Sequence, residues 1–306
     1  MTAVSRVATG AAAAEAFFRR VGSDGLVRDS LPRLAELFHG QGRFAEAMAI
    51  YRRLANDEGE TALGVNFAAL ALQCAIALGD RARVVSEIAA LGARWKKMRG
   101  SVLEPTRTAV AKRLESTFHD LAVVYHREGE KLKSDEILGF ATAAYAVYLD
   151  VFGEGERAVE MRFFFGEALF RTGQTSRAAD EYTKVVEANP AGPRAAAAAY
   201  GAVVALDRAL GRSDRPPRVH APGKRPSPVP FPRGETRLRE ACERYLVLIP
   251  KDAATERPGV LYRLGRLFYD FHHIDEAARR YGELVASYPS HALASSALGE
   301  LLDSMN

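Results

Sequence analysis

The stretch that decides the fold is Phe165-Gly166-Glu167-Ala168-Leu169-Phe170-Arg171-Thr172-Gly173-Gln174-Thr175-Ser176-Arg177-Ala178. Two others follow its pattern. One is Leu34-Ala35-Glu36-Leu37-Phe38-His39-Gly40-Gln41-Gly42-Arg43-Phe44-Ala45-Glu46-Ala47, and the other is Leu264-Gly265-Arg266-Leu267-Phe268-Tyr269-Asp270-Phe271-His272-His273-Ile274-Asp275-Glu276-Ala277. In each, a large apolar residue precedes Gly or Ala, and a second large residue comes one helical turn later. A turn lies eight positions from the start, an Ala thirteen, and an aromatic (Tyr51, Tyr182, Tyr281) four beyond that Ala. Apolar residues at this spacing make two amphipathic helices joined by a short turn. The small residues mark where the helices cross. A large side chain at Ala178 or Ala277 should overpack that crossing by about 1–3 kcal/mol.

The three copies resemble the tetratricopeptide repeat, a helix–turn–helix unit of about 34 residues. Weaker copies are spaced accordingly, with Ala144/Tyr148 before Ala178/Tyr182 and Ala241/Tyr245 before Ala277/Tyr281. The units fall near 28–59, 65–98, 115–155, 159–190, 194–250 and 258–289, after an N-terminal helix and loop over 1–27 and before a half-unit at 291–306. The second has Val84 and Ile88 where the family prefers Ala and an aromatic. The third is expected to hold about ten extra residues near Lys131 to Gly139. One hairpin cannot bury its own apolar face, so stacking must supply the core. The resemblance implies an all-α, right-handed solenoid of about six hairpins with a concave groove.

In that family the groove is lined by first-helix positions flanking the packing seam. Carried onto this chain, these are His119, His126 and Arg127; Phe163, Glu167, Phe170 and Arg171; and Tyr262, Arg266, Tyr269 and Asp270. Ala195 to Leu206 would add mostly methyl groups. Such a face suits a peptide or helix of a protein partner. The Lys/Asn clamp with which some members hold a C-terminal carboxylate is not matched, since Pro32, Glu36 and Leu70 stand at those positions. The largely apolar helix at 293–302 offers a second contact. The Ala/Arg-rich composition also resembles large envelope and motility members in bacteria, which would imply a place in a multiprotein assembly.

Hydrophobic residues are 48% and charged residues 26% of the 306, ordinary values for a folded chain. No apolar run is long enough to span a bilayer, and Met1 to Arg20 lacks the core of a secretory signal. The sequence as written therefore reads as cytoplasmic, or as periplasmic if it is part of a longer envelope protein. The net charge of +4 is concentrated. Residues 211–234 carry Arg212, Arg215, Arg218, Lys224, Arg225 and Arg233 against Asp214, and seven of the 14 prolines lie in 215–232. Proline removes donors and fixes φ, so this stretch is read as an extended tether. It is inserted within one repeat, dividing the array into 28–210 and 235–306, and is cleavable near Lys224-Arg225. Its prolines are never three apart, so PxxP spacing is absent. With no folded basic face, nucleic-acid binding is not expected.

Catalytic signatures are missing: there is no GxGxxG after a strand, P-loop, HExxH or GxSxG. His272 and His273 fall in an inter-helix turn and point apart, and Cys74 and Cys242 are distant and read as packed residues. No cofactor or metal is expected, and no enzymatic activity. The reading is a protein–protein interaction scaffold. The alternatives are a regulatory or enzymatic subunit with a small-molecule site in the solenoid, and nucleic-acid contact through the basic tether.

Overall fold

The computed structural model describes residues 24–212, 227–250 and 255–305. The expected N-terminal helix over 1–27, apart from its last residues, and most of the Pro/Arg-rich tether lie outside them. The chain divides into two compact units, 1–155 and 156–306. Among the described residues both are helical and contain no strand.

The first unit holds α1 (Asp24–Gly40), α2 (Phe44–Asp57), α3 (Ala62–Ala77), α4 (Arg81–Met98), α5 (Thr106–Leu132) and α6 (Asp135–Phe152). Side-chain caps start three of them. Thr61 accepts from the Gly64 amide at 3.0 Å, Asp80 from Arg83 at 3.0 Å and Ser134 from Ile137 at 3.3 Å. Val84 and Ile88, the departures in the second repeat, are buried like the residues they replace. The extra residues of the third repeat do not form a loop between its helices. The turn is only Lys133-Ser134, and the length appears instead as a 27-residue α5.

The second unit holds α7 (Ala158–Arg171), α8 (Thr175–Ala188), α9 (Ala195–Ala209), α10 (Arg233–Leu248), α11 (Arg257–Asp270), α12 (Ile274–Ser287) and α13 (Ala292–Met305). Successive helices pack against one another in chain order, consistent with a solenoid. The crossings explain why. A methyl group on Gly166 would lie 2.8 Å from Tyr182 Cε1, and one on Gly201 2.9 Å from Tyr182 Cε2. The Tyr182 ring is thus gripped by glycines of α7 and α9. On Gly265 a methyl would lie 2.5 Å from Tyr281. Ala178 and Ala277 are fully buried beside them.

The turns of these hairpins differ. Gly173 takes φ +77°, a left-handed conformation that glycine adopts freely. His272 occupies the same register position with φ +64°, and its Nδ1 lies 3.2 Å from the Ser227 carbonyl. The end of the proline-rich stretch crosses this turn. The Val229 amide donates to Phe271 O at 2.9 Å, His273 Nε2 lies 2.9 Å from Val229 O, and Phe231 stacks on His273 with centroids 4.6 Å apart. At the other end of the tether, Arg212 is buried against Asp270 at 2.5 Å.

Candidate functional site

Phe163, Glu167 and Phe170 are four and three residues apart on α7, so they share one face. Opposite stands α9, whose first turns are alanine. Ala196 and Ala197 are too short to reach across, and the space they leave is a cleft of about 640 Å³. Tyr182, Tyr200, Gly201, Val204, Tyr245, Ile249 and Pro250 complete its apolar walls, and Glu256 also lines it. Tyr200 and Tyr245 have centroids 5.9 Å apart, as do Phe163 and Tyr182.

The electrostatics follow from burial. The Tyr182 hydroxyl donates to Glu167 Oε1 at 2.5 Å. Burial first and this carboxylate second hold the phenol far above its ordinary pKa. Burial, then the charge of Glu256, pushes Tyr245 up to about 12. Both phenols are therefore neutral near pH 7. Glu167 and Glu256 are the carboxylates lining the cleft, and neither forms an ion pair among the described residues. Two guanidinium groups sit on aromatic faces nearby. Arg194 is 5.0 Å from the Phe163 centroid and Arg208 is 5.3 Å from Phe170.

The equivalent positions of α11 meet a different fate. Tyr262 donates to Glu300 Oε1 at 2.7 Å, and Tyr281 donates to the other oxygen of the same carboxylate. Asp270 is consumed by Arg212, and Tyr269 is 2% exposed. A smaller cavity of about 220 Å³ remains beside Tyr262, Arg263, Arg266, Asp207 and Arg212. In it Asp207 pairs with Arg263 at 3.3 Å.

Of the residues singled out from sequence, the structure brings Phe163, Glu167 and Phe170 together in one cleft, with exposed Arg171 at the end of α7. Tyr262 and Arg266 line the smaller cavity, while Tyr269 and Asp270 pack inside. In the first unit His126 is 7% exposed, with Nδ1 3.0 Å from the Tyr145 hydroxyl, so it is a core residue and not a groove residue. His119 is half-buried with Nδ1 2.9 Å from Asp120, and Arg127 is exposed. Sequence reasoning missed Tyr200, Ile249 and Glu256 as cleft residues. Tyr200 was legible as the one large side chain in an alanine run, whereas Ile249 and Glu256 reach the cleft from beyond α10. Both cysteines are buried, the Cys74 thiol pushed up to about 11 and that of Cys242 to about 12, mainly by burial. No group of three or more potential metal ligands occurs among the described residues, and no helix there is long and apolar enough to cross a membrane.

This architecture is that of a helical-hairpin repeat. The tetratricopeptide-repeat family model matches residues 138–193, 165–215 and 262–304, and these stretches are tetratricopeptide repeats. Solved structures similar to the chain include the C-terminal part of a TPR repeat-containing protein from Cytophaga hutchinsonii, at 10% identity and TM-score 0.39, covering 87% of this chain and 98% of that one. PilF of Pseudomonas aeruginosa is 14% identical with TM-score 0.36, covering 89% and 97%. The TPR2AB domain of yeast Sti1, solved with pHSP90, is 13% identical with TM-score 0.32, covering 92% and 100%. At these identities the likeness concerns the fold alone. No curated protein matches the chain.

Proposed function

We propose that this chain is a non-enzymatic protein-interaction scaffold that holds a helix or extended segment of its partner in the cleft between α7 and α9. The open cleft carries the reading. It presents the half-buried rings of Phe170 and Tyr200 over a floor of methyl groups that admits a backbone, and aromatic side chains supply disproportionate binding energy at interfaces. The Tyr182 phenol spends its proton on Glu167, so it offers shape rather than reactivity.

Ala197→Trp tests this without touching the core, because Ala197 is exposed on α9. Partner recovery in an affinity pull-down followed by mass spectrometry should be lost in this variant while its thermal melt stays that of the parent. Unchanged recovery of the same partners would place binding elsewhere on the molecule.

A further inference from the structure

Resting on the cleft reading, we infer that the α7–α9 cleft selects a helical protein segment presenting an arginine or lysine one turn from a large apolar side chain. The walls and floor decide the apolar part. Phe170, Tyr200, Tyr245 and Ile249 surround a space of about 640 Å³, room for a large side chain entering over Ala196 and Ala197. The carboxylates decide the charge. Glu167 uses Oε1 for Tyr182 and has Oε2 for a ligand, and Glu256 lines the same cleft. Elsewhere in this unit four acids facing a neighbouring helix carry their own cation: Glu181 with Arg162, Glu187 with Arg244, Asp180 with Arg237 and Asp207 with Arg263. Glu167 and Glu256 have no such cation among the described residues. A cation carried by the ligand would complement them.

The chain itself shows the mode. Helix α13 packs against α11 and α12 and delivers Glu300 to the hydroxyls of Tyr262 and Tyr281. There the position after the crossing glycine is Arg266, and the seated helix brings a carboxylate. In α7 that position is Glu167, so charge complementarity calls for a cation. Arg194 and Arg208, resting on Phe163 and Phe170, show that these rings accept guanidinium faces. The two arginines lie on the ring faces and do not line the cleft.

Two synthetic alanine-rich helical peptides provide the test. Each carries one tryptophan, with arginine four residues later in one and glutamate in the other, and binding is read by fluorescence anisotropy. The arginine peptide should bind the intact protein about tenfold or more tighter than the glutamate peptide, as expected for a charge-assisted hydrogen bond. Glu167→Gln, which keeps an acceptor for Tyr182, combined with Glu256→Gln should erase that preference while circular dichroism melts stay unchanged. Equal or reversed preference in the parent, or a preference surviving in the double variant, overturns the inference, as does failure of both peptides to bind at millimolar concentration. Ala197→Trp separates the two readings. If it abolishes binding but no charge preference exists, the cleft stands and only the partner chemistry falls. If it leaves binding intact, the cleft reading falls as well.

Discussion

The α7–α8 and α11–α12 hairpins share one register and have opposite fates. Both cross through a glycine set against a tyrosine, and both place an aromatic two residues before the seam, at Phe163 and Tyr262. In the first, the residue after the glycine is Glu167, which satisfies Tyr182 from within the same hairpin. In the second it is Arg266, so Tyr281 takes its acceptor from Glu300 on the following helix. The first hairpin lines a cleft of about 640 Å³, whereas beside the second, where α13 packs, a cavity of about 220 Å³ remains. The residue beside each crossing thus sets which helix supplies the acceptor for the crossing tyrosine.

The comparison breaks most sharply at Asp270 and Arg171, which are register equivalents. Asp270→Ala would strand Arg212, a buried guanidinium, and should cost about 3–5 kcal/mol. Arg171→Ala removes an exposed group and should fall within about 0.5 kcal/mol. Urea melts of the two variants would test this, and equal costs would refute the structural role assigned to the Arg212–Asp270 pair.

A second break uses pH. Tyr245 and Tyr262 are each held up to about 12 against an ordinary 10.0, mainly by burial. A phenol that keeps its proton longer in the folded state contributes stability that is present below pH 10 and lost as pH rises from 10 toward 12. Thermal melts across that range should show falling stability, with ultraviolet titration detecting phenolate chiefly as the chain unfolds. Tyr262→Phe should flatten part of the slope.

The smallest effect concerns the turns. Gly173→Ala forces a side chain into the left-handed region and should cost about 1 kcal/mol. His272→Gly relieves that same conformation while losing the approach to Ser227. It should change stability by less than Gly173→Ala and should speed hydrogen exchange at the Val229 amide. Unaltered exchange would show that His272 does not help hold the proline-rich end.

The hairpins were legible because their signal is local. Gly166, Ala178 and Tyr182 announce two helices and their crossing within seventeen residues, and no distant information is needed. The open cleft was legible in part, since Phe163, Glu167 and Phe170 share a helical face and α9 reads as a trough of methyl groups. What could not be read are pairings set by stacking. Arg212 meets Asp270 across 58 residues, and Glu300 returns to Tyr262 across 38. Periodicity assigns both ends of such pairs to surface positions. His126 failed for a related reason. Its spacing from His119 fixes a shared helix face but not which neighbour covers it, and Tyr145 of α6 does so.

The fastening of Arg212 to Asp270, and of Val229 and Phe231 to the turn just after it, has a consequence for how this molecule can change. The polypeptide leaves and rejoins the repeat at one place, so the ends of the intervening stretch are already brought together by the folded core. Lengthening a connection between fixed ends is entropically cheap, about 0.6 kcal/mol for each doubling. Added residues there leave the spacing of every helix untouched, which makes this the natural port for grafting a fluorophore, an epitope or a whole extra module.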